Sequence, residues 1–161
     1  MNEFCALMPT MPSRVRVKPH FGLPLFSTDP AFIRRAVQSG ITGLIVDWER
    51  AGKERRQAFA DTQIGQDTLE DLVRVRACTE ALVICRINSY GSTTEAEVQQ
   101  AIAAGADEIL LPMARAPAEV EAVLDQARGR CGVGILIETV AAVEAASVRL
   151  LVCPCLAYMS A

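Results

Sequence analysis

The sequence predicts an α/β fold built on a parallel sheet, and three observations predict it. Short apolar runs alternate with stretches of helical periodicity from Phe21 onward. The connections are short, and a strand that returns parallel to its predecessor needs a crossover helix to cover the sheet face. The composition is aliphatic: 51% hydrophobic with only 5% aromatic residues. That suits buried parallel strands better than a sandwich held by aromatic cross-strand pairs. At 161 residues the chain has the size of one domain.

Each element has its own signal. Phe21 to Phe26 is a short apolar run, and Asp29-Pro30 then offers an N-cap with proline at the first helical position. Ala31 to Ser39 places Phe32, Ile33, Ala36 and Val37 at helical spacing, and Gly40 suits the left-handed residue that ends a helix. Gly43-Leu44-Ile45-Val46 is the second strand, ending in Asp47-Trp48-Glu49. A polar loop, Arg50 to Asp67, precedes a helix near Thr68 to Cys78 with Leu69, Leu72, Val73 and Val75 inward. Ala81 to Ile87 is the third strand, running into Arg86 and Asn88. Thr94 and Glu97 have the spacing of a capping box for a helix ending at Ala104, closed by Gly105. Ile109 to Leu111 is strand four, Pro117 to Arg128 helix four, and Val133 to Ile137 strand five, ending in Glu138. Thr139 caps a fifth helix to about Ser147, and Leu150-Leu151-Val152 begins a sixth strand.

The helix–glycine–strand unit repeats: Ala36 to Gly40 leads into Leu44 to Val46 as Ala101 to Gly105 leads into Ile109 to Leu111. The pattern alone admits two architectures, a doubly wound open sheet and a (β/α)8 barrel. The first strand–helix turn, Ser27-Thr28-Asp29-Pro30, has no GxGxxG, which argues against dinucleotide binding.

Composition excludes several partners. A net charge of −3 and a pI near 5.2 give no broad basic field for nucleic acid or anionic lipid. The local cluster Arg14, Arg16, Lys18 admits contact with an anionic ligand, but solvated loop charge is the reading preferred. No apolar run approaches membrane-spanning length, and Met1 to Pro12 lacks the form of a secretory leader. The six cysteines contain no CxxC pair and no companion histidine spacing, so zinc is not expected. A cytoplasmic protein is the expectation.

Polar residues gather where strands end: Asp47 and Glu49 after strand two, Arg86 and Asn88 after strand three, Glu138 after strand five. In a barrel those ends converge on one mouth. Taken singly, each suits a loop charge or a cap. Arg86 is different, because it follows Leu82-Val83-Ile84-Cys85 and precedes Ile87, and a guanidinium there needs an anionic partner. A substrate carboxylate held by the planar fork is one such partner. Glu138 interrupts an equally apolar strand. Either a hard cation such as Mg²⁺ or Mn²⁺ or an ion pair with Arg86 accounts for it, and spacing leaves both open.

Four segments also carry a resemblance. Gly43 to Glu49 resembles the second strand of HpcH/HpaI aldolases and citrate lyase β subunits. Cys85-Arg86-Ile87-Asn88 is similar to their Arg-Val-Asn strand, Gly105 to Met113 to their fourth strand, and Ile137-Glu138-Thr139 to their metal-binding Ile-Glu-Thr. The resemblance runs from about Phe21 to Leu151 in order. It implies a partial (β/α)8 TIM barrel of about five βα units plus the start of strand six. Residues 1–20 form an irregular lead, 21–152 the barrel domain and 153–161 an aberrant tail.

The activity implied is that of a metal-dependent carbon–carbon lyase. It would act on a 2-oxo-acid enolate or on the CoA thioester of a hydroxy acid. Arg86, Asp47 and Glu49 take catalytic roles by this resemblance, Arg86 and Asn88 bind substrate, and Glu138 binds Mg²⁺ or Mn²⁺. Relatives work as oligomers, so a homo-oligomer is expected on the same ground. The aldolase branch often has a histidine just after strand two. Arg50-Ala51-Gly52 stands there instead, and the single histidine, His20, precedes strand one. That departure leans toward the citrate-lyase-like branch.

In the resembled family a Gly-x-x-Asp-Leu segment after strand six supplies the second metal carboxylate. Cys153 to Ala161 contains no aspartate and no strand pattern. The expectation is a frameshift near Val152, an unclosed barrel and a chain that alone lacks lyase turnover. The alternative expectation is a non-catalytic subunit that completes its sheet with a partner chain.

Overall fold

The computed structural model describes residues 22–50, 67–149 and 156–159. Strands and helices alternate: β1 (Pro24–Phe26), α1 (Pro30–Gln38), β2 (Gly43–Asp47), α2 (Leu69–Cys78), β3 (Leu82–Arg86) and α3 (Thr94–Ala103). Then come β4 (Glu108–Leu111), α4 (Pro117–Ala127), β5 (Gly132–Ile137), α5 (Val140–Arg149) and β6 (Leu156–Met159). The strands form one parallel sheet in the order β1-β2-β3-β4-β5-β6. A doubly wound sheet reverses its strand order at a switch point. This order never reverses, so of the two architectures the partial barrel is the one formed. His20, the Arg14–Lys18 cluster and most of the loop after Arg50 lie outside the described residues.

Local chemistry explains the helix boundaries. The Asp29 carboxylate accepts the Ala31 and Phe32 N–H groups at 2.7 and 2.9 Å, so α1 begins where an aspartate precedes a proline. Those two backbone bonds hold the Asp29 carboxyl below its ordinary value. At the other end Gly40 takes φ +103°, a left-handed conformation that favours glycine. Helix α2 opens on a capping box: Asp71 accepts from the Thr68 N–H at 2.7 Å, and Thr68 Oγ1 accepts from the Asp71 N–H at 3.3 Å. Thr139 Oγ1 accepts from the Ala142 N–H at 3.0 Å, capping α5.

Several expectations need correction. Helix α3 has Thr93 at its N-cap, with no side-chain capping bond. Thr94 lies inside the first turn, where its hydroxyl accepts from the Gly91 N–H at 2.9 Å. Glu97 turns away from the helix end because two N–H donors of Asn88 offer a better site. On α2 only Leu72 and Val75 are fully buried, while Leu69 and Val73 are 40% and 50% exposed. The sheet admits one stripe of a ten-residue helix, and residues three apart fill it. Ile33 likewise fills the buried side of α1 and leaves Phe32 exposed.

The sixth strand is also displaced. Leu150 to Val152 lies outside the described residues, and β6 is built by Leu156–Met159, within the tail that shows no strand pattern in sequence. It runs beside β5 with Gly134 opposite Leu156 and Ile137 opposite Met159. Parallel pairing satisfies backbone N–H and C=O groups whatever the side chains are, so a strand can form there without an alternating signature.

The core divides by sheet face. Leu44, Val46, Trp48, Val83, Cys85, Ile87, Ile109 and Leu111 pack outward beneath the helices with Ile33, Leu72, Val75, Val98 and Val123. Ile45, Ile84 and Leu110, joined by Leu136, form a separate cluster on the other, inner face. Successive residues of a strand alternate between faces. The residues that sit on the inner face are thereby fixed, and Asp47 and Arg86 are among them.

Candidate functional site at the carboxyl ends of the strands

Strand register puts Asp47 directly opposite Arg86. Both continue the inner-face series, Asp47 after Ile45 and Arg86 after Ile84. The guanidinium meets the carboxylate through two parallel bonds, Nε to Oδ1 at 2.9 Å and Nη2 to Oδ2 at 2.7 Å. This fork-to-fork geometry is the strong, planar form of the pair. A second carboxylate, Glu49, approaches Nη1 at 3.4 Å. Behind them the Phe26 ring lies 5.0 Å from the guanidinium carbon, within range of a cation–π contact.

The cluster is sheltered: Asp47 and Glu49 are buried at 5% and 3% exposure. Burial opposes the charge on Arg86. The Asp47 hydrogen bonds and the nearby charges of Asp47, Glu49 and Glu138 outweigh it and push the guanidinium above its ordinary pKa. The anionic partner that Arg86 requires is therefore Asp47, an alternative to the substrate carboxylate or Glu138 considered from sequence.

Backbone and side-chain bonds fix the acids in place. The Asp47 N–H donates to Asp67 Oδ2 at 2.8 Å, and the Glu49 N–H to Asp47 Oδ1 at 3.0 Å. Trp48, on the outer face between the two acids, donates its backbone N–H to the Arg86 carbonyl at 2.8 Å and its indole N–H to the Thr68 carbonyl at 3.0 Å. Asn88 is engaged at both ends of its amide. Its Nδ2 donates to Glu97 Oε1 at 2.9 Å, and its Oδ1 accepts from the Arg50 N–H at 2.8 Å. Behind the rim, Trp48, Arg50, Thr68, Asn88, Glu97 and Gln100 line a cleft of about 270 Å³.

Glu138 follows β5 on the same inner-face series, after Gly134 and Leu136. It is exposed, and its Oε2 accepts the Met113 N–H at 3.1 Å. Met113 supplies that donor from a left-handed backbone, φ +52°. Thr139 pins the same turn by donating its hydroxyl to the Ala114 carbonyl at 3.0 Å. An exposed carboxylate at a strand end suits one ligand position of Mg²⁺ or Mn²⁺, which keep several waters. Among the described residues no group of three or more His, Cys, Asp or Glu side chains could hold a metal. They offer no complete ligand set.

Sequence reasoning missed Glu97, Asp67, Phe26 and Met113. A capping pattern accounts for Glu97 without any reference to Asn88. Asp67 precedes the true cap Thr68, a position that signals a helix start and nothing else. Phe26 ends a strand whose apolar run gives no face.

A sheet of consecutive parallel βα units, with its buried acid–guanidinium cluster at the carboxyl ends, defines a partial (β/α)8 barrel domain whose candidate site lies on the rim. The HpcH/HpaI aldolase/citrate lyase family profile matches residues 20–153, and the chain belongs to that family. The fold is similar to a mandelate oxidase variant crystallised with 2-hydroxy-phenylacetamide, with a TM-score of 0.57 at 17% identity, over 86% of this chain and 48% of that one. A second variant, with benzaldehyde, gives 0.50 at 21% identity, over 71% and 41%. At such identities the likeness is one of fold. The chain spans about half the length of those structures or less. No curated protein matches the sequence significantly. Among the described residues no helix is long and apolar enough to cross a membrane.

Proposed function

We propose that this site serves a metal-dependent carbon–carbon lyase that makes or breaks a bond beside a carbonyl. The substrate class is a 2-oxo acid reacting through its enolate, or the CoA thioester of a hydroxy acid. The observation that carries the reading is the buried Asp47–Arg86–Glu49 cluster on the inner face, with Glu138 on the same series and felt by Arg86. Membership of a lyase-type family supports it.

Electrostatics supports a cation requirement. Three carboxylates act on one guanidinium, so an anionic oxo acid meets a negative rim unless positive charge comes with it. Mg²⁺ or Mn²⁺, with Glu138 as one ligand, is the proposed companion, and when bound it supplies Lewis acidity toward a carbonyl oxygen. Arg86 steadies the substrate's carboxylate or developing oxyanion. Asp47 holds the plane of that guanidinium, and Glu49 orients water or the second substrate. A further carboxylate must come from outside the described residues.

The test is calorimetric binding of oxalate, a stable mimic of a 2-oxo-acid enolate, with and without Mn²⁺. Binding should depend on Mn²⁺ and be lost in Arg86→Ala and Glu138→Ala. Oxalate binding that ignores both the metal and Arg86 sinks the proposal.

One observation favours a second reading. β1 and β6 lie at opposite edges of the described sheet, and exposed strand edges recruit partners. A subunit that completes its sheet with a partner chain would elute as a complex and bind Mn²⁺ only within it.

A further inference from the structure

We propose that Glu97 and Asn88 are positioning residues that hold Glu49 against Arg86, although Glu97 stands on a helix outside the sheet. The inference rests on the reading of the rim as a site only for the purpose of the residue being held. Its geometry stands independently.

Strand β2 formally ends at Asp47, yet its continuation remains tied to β3. The Trp48 N–H still bonds the Arg86 carbonyl at 2.8 Å. Two residues on, the Arg50 N–H finds the side-chain oxygen of Asn88 at 2.8 Å. The amide of Asn88 thus stands in for a strand carbonyl and extends the pairing past the strand's end. Glu49 lies between these two anchors. Alternation sends its side chain inward, where it reaches Nη1 of Arg86 at 3.4 Å.

An asparagine side chain can present either end of its amide, and Glu97 decides which. Its two carboxylate oxygens accept the Asn88 backbone N–H and the Asn88 Nδ2, both at 2.9 Å. Only N–H groups can face a carboxylate, so the amide oxygen is turned toward Arg50. Helix α3 thereby sets the reach of a carboxylate just past the end of β2. The capping role suggested by the spacing of Thr94 and Glu97 is replaced by this one.

The pairing predicts a reversal. Asn88→Asp alone places two carboxylates face to face. Glu97→Gln alone sets an amide against an amide and loses one of the two acceptors. The double variant restores the match with roles exchanged. The amide introduced on the helix donates to the carboxylate introduced on the strand and accepts the backbone N–H beside it. The second oxygen of that new carboxylate stays available to the Arg50 N–H. Two readouts need neither metal nor substrate, so they succeed or fail separately from the lyase reading. Trp48 is the single tryptophan and sits beside Glu49, so acrylamide quenching of its emission reports that segment. Selective ¹⁵N labelling of arginine reports the rotation of the Arg86 Nη1 group, which faces Glu49.

Each single variant should raise Trp48 quenching, shift its emission to the red and free the rotation of Arg86 Nη1, the nitrogen that faces Glu49, while Nη2 stays held by Asp47, at temperatures where circular dichroism shows a folded chain. The double variant should recover both. If the singles keep Trp48 shielded and Arg86 Nη1 restricted, or if the double is no better than Asn88→Asp, the proposal is overturned. Should either single fail to fold, recovery of a folded chain with both signals in the double still supports it, and failure of the double rejects it.

Discussion

Asp47 and Arg86 occupy one register position on neighbouring strands and join through two bonds of 2.9 and 2.7 Å. The pair ends the inner-face series of β2 and β3 at their carboxyl ends. Removing one member leaves the other buried and badly compensated.

Asp47→Asn should therefore destabilise the fold by about 3 kcal/mol, the lower end of the range for breaking a buried pair, because Glu49 still faces the guanidinium. Asp47→Leu with Arg86→Met should cost clearly less than Asp47→Asn, since neither charge remains to be desolvated. Urea denaturation of the two variants checks the order. A double variant weaker than the single contradicts it.

Gly105 and Gly40 make a second comparison. Both have left-handed backbones, φ +92° and +103°. A Cβ at Gly40 meets nothing within 4 Å, whereas at Gly105 it comes within 2.9 Å of Arg76 Cγ. Arg76 cannot easily withdraw, because it bonds Asp107 at 2.7 Å and the Thr79 carbonyl. Gly40→Ala should cost about 1 kcal/mol from conformation alone. Gly105→Ala should cost visibly more, measured by the same denaturation midpoints.

The Thr68–Asp71 capping box should show itself in acid. Burial raises the Asp71 carboxyl, but the Thr68 backbone and hydroxyl bonds and Arg74 outweigh that and leave it below its ordinary value. A carboxyl depressed in the folded state contributes stability above its unfolded pKa and loses it as pH falls through the folded value. Asp71→Asn should thus lose about 1 kcal/mol at pH 7 and almost nothing relative to the parent at pH 2. An equal deficit at both pH values contradicts the assignment.

Thiol chemistry gives a fourth test. Desolvation, above all, raises Cys131 to about 11 and pushes Cys85 higher still. The thiolate is the reactive form, so both should resist iodoacetamide at pH 8 in the native chain and react once it is unfolded. Mass spectrometry of the labelled peptides reads this directly. Rapid native labelling at Cys85 contradicts its place in the core.

Much of the fold could be read from the chain because local rules wrote it. Asp29-Pro30, Gly40 and Gly105 punctuate the helices as expected, and the runs ending in Asp47 and Arg86 are strands β2 and β3. What could not be read depends on contacts between distant residues. Periodicity cannot tell Leu72 from Val73 at a helix edge, and no spacing ties Glu97 to Asn88. Of the five residues named from sequence, Asp47 and Arg86 end β2 and β3, and Glu49, Asn88 and Glu138 lie one or two residues past the ends of β2, β3 and β5. That Arg86 is gripped by Asp47 emerges only from register, since 39 positions separate them in the chain.

The indole of Trp48 has a consequence beyond its own packing. It is embedded in the helix-side layer while the acids on either side face the opposite way. To swivel Asp47 or Glu49 off the guanidinium, that stretch of backbone would have to drag a large ring out of a dry interior. The ring works like a keel: whatever molecule docks at the mouth finds its two acidic neighbours already locked at their heading, at the cost of any freedom to tack.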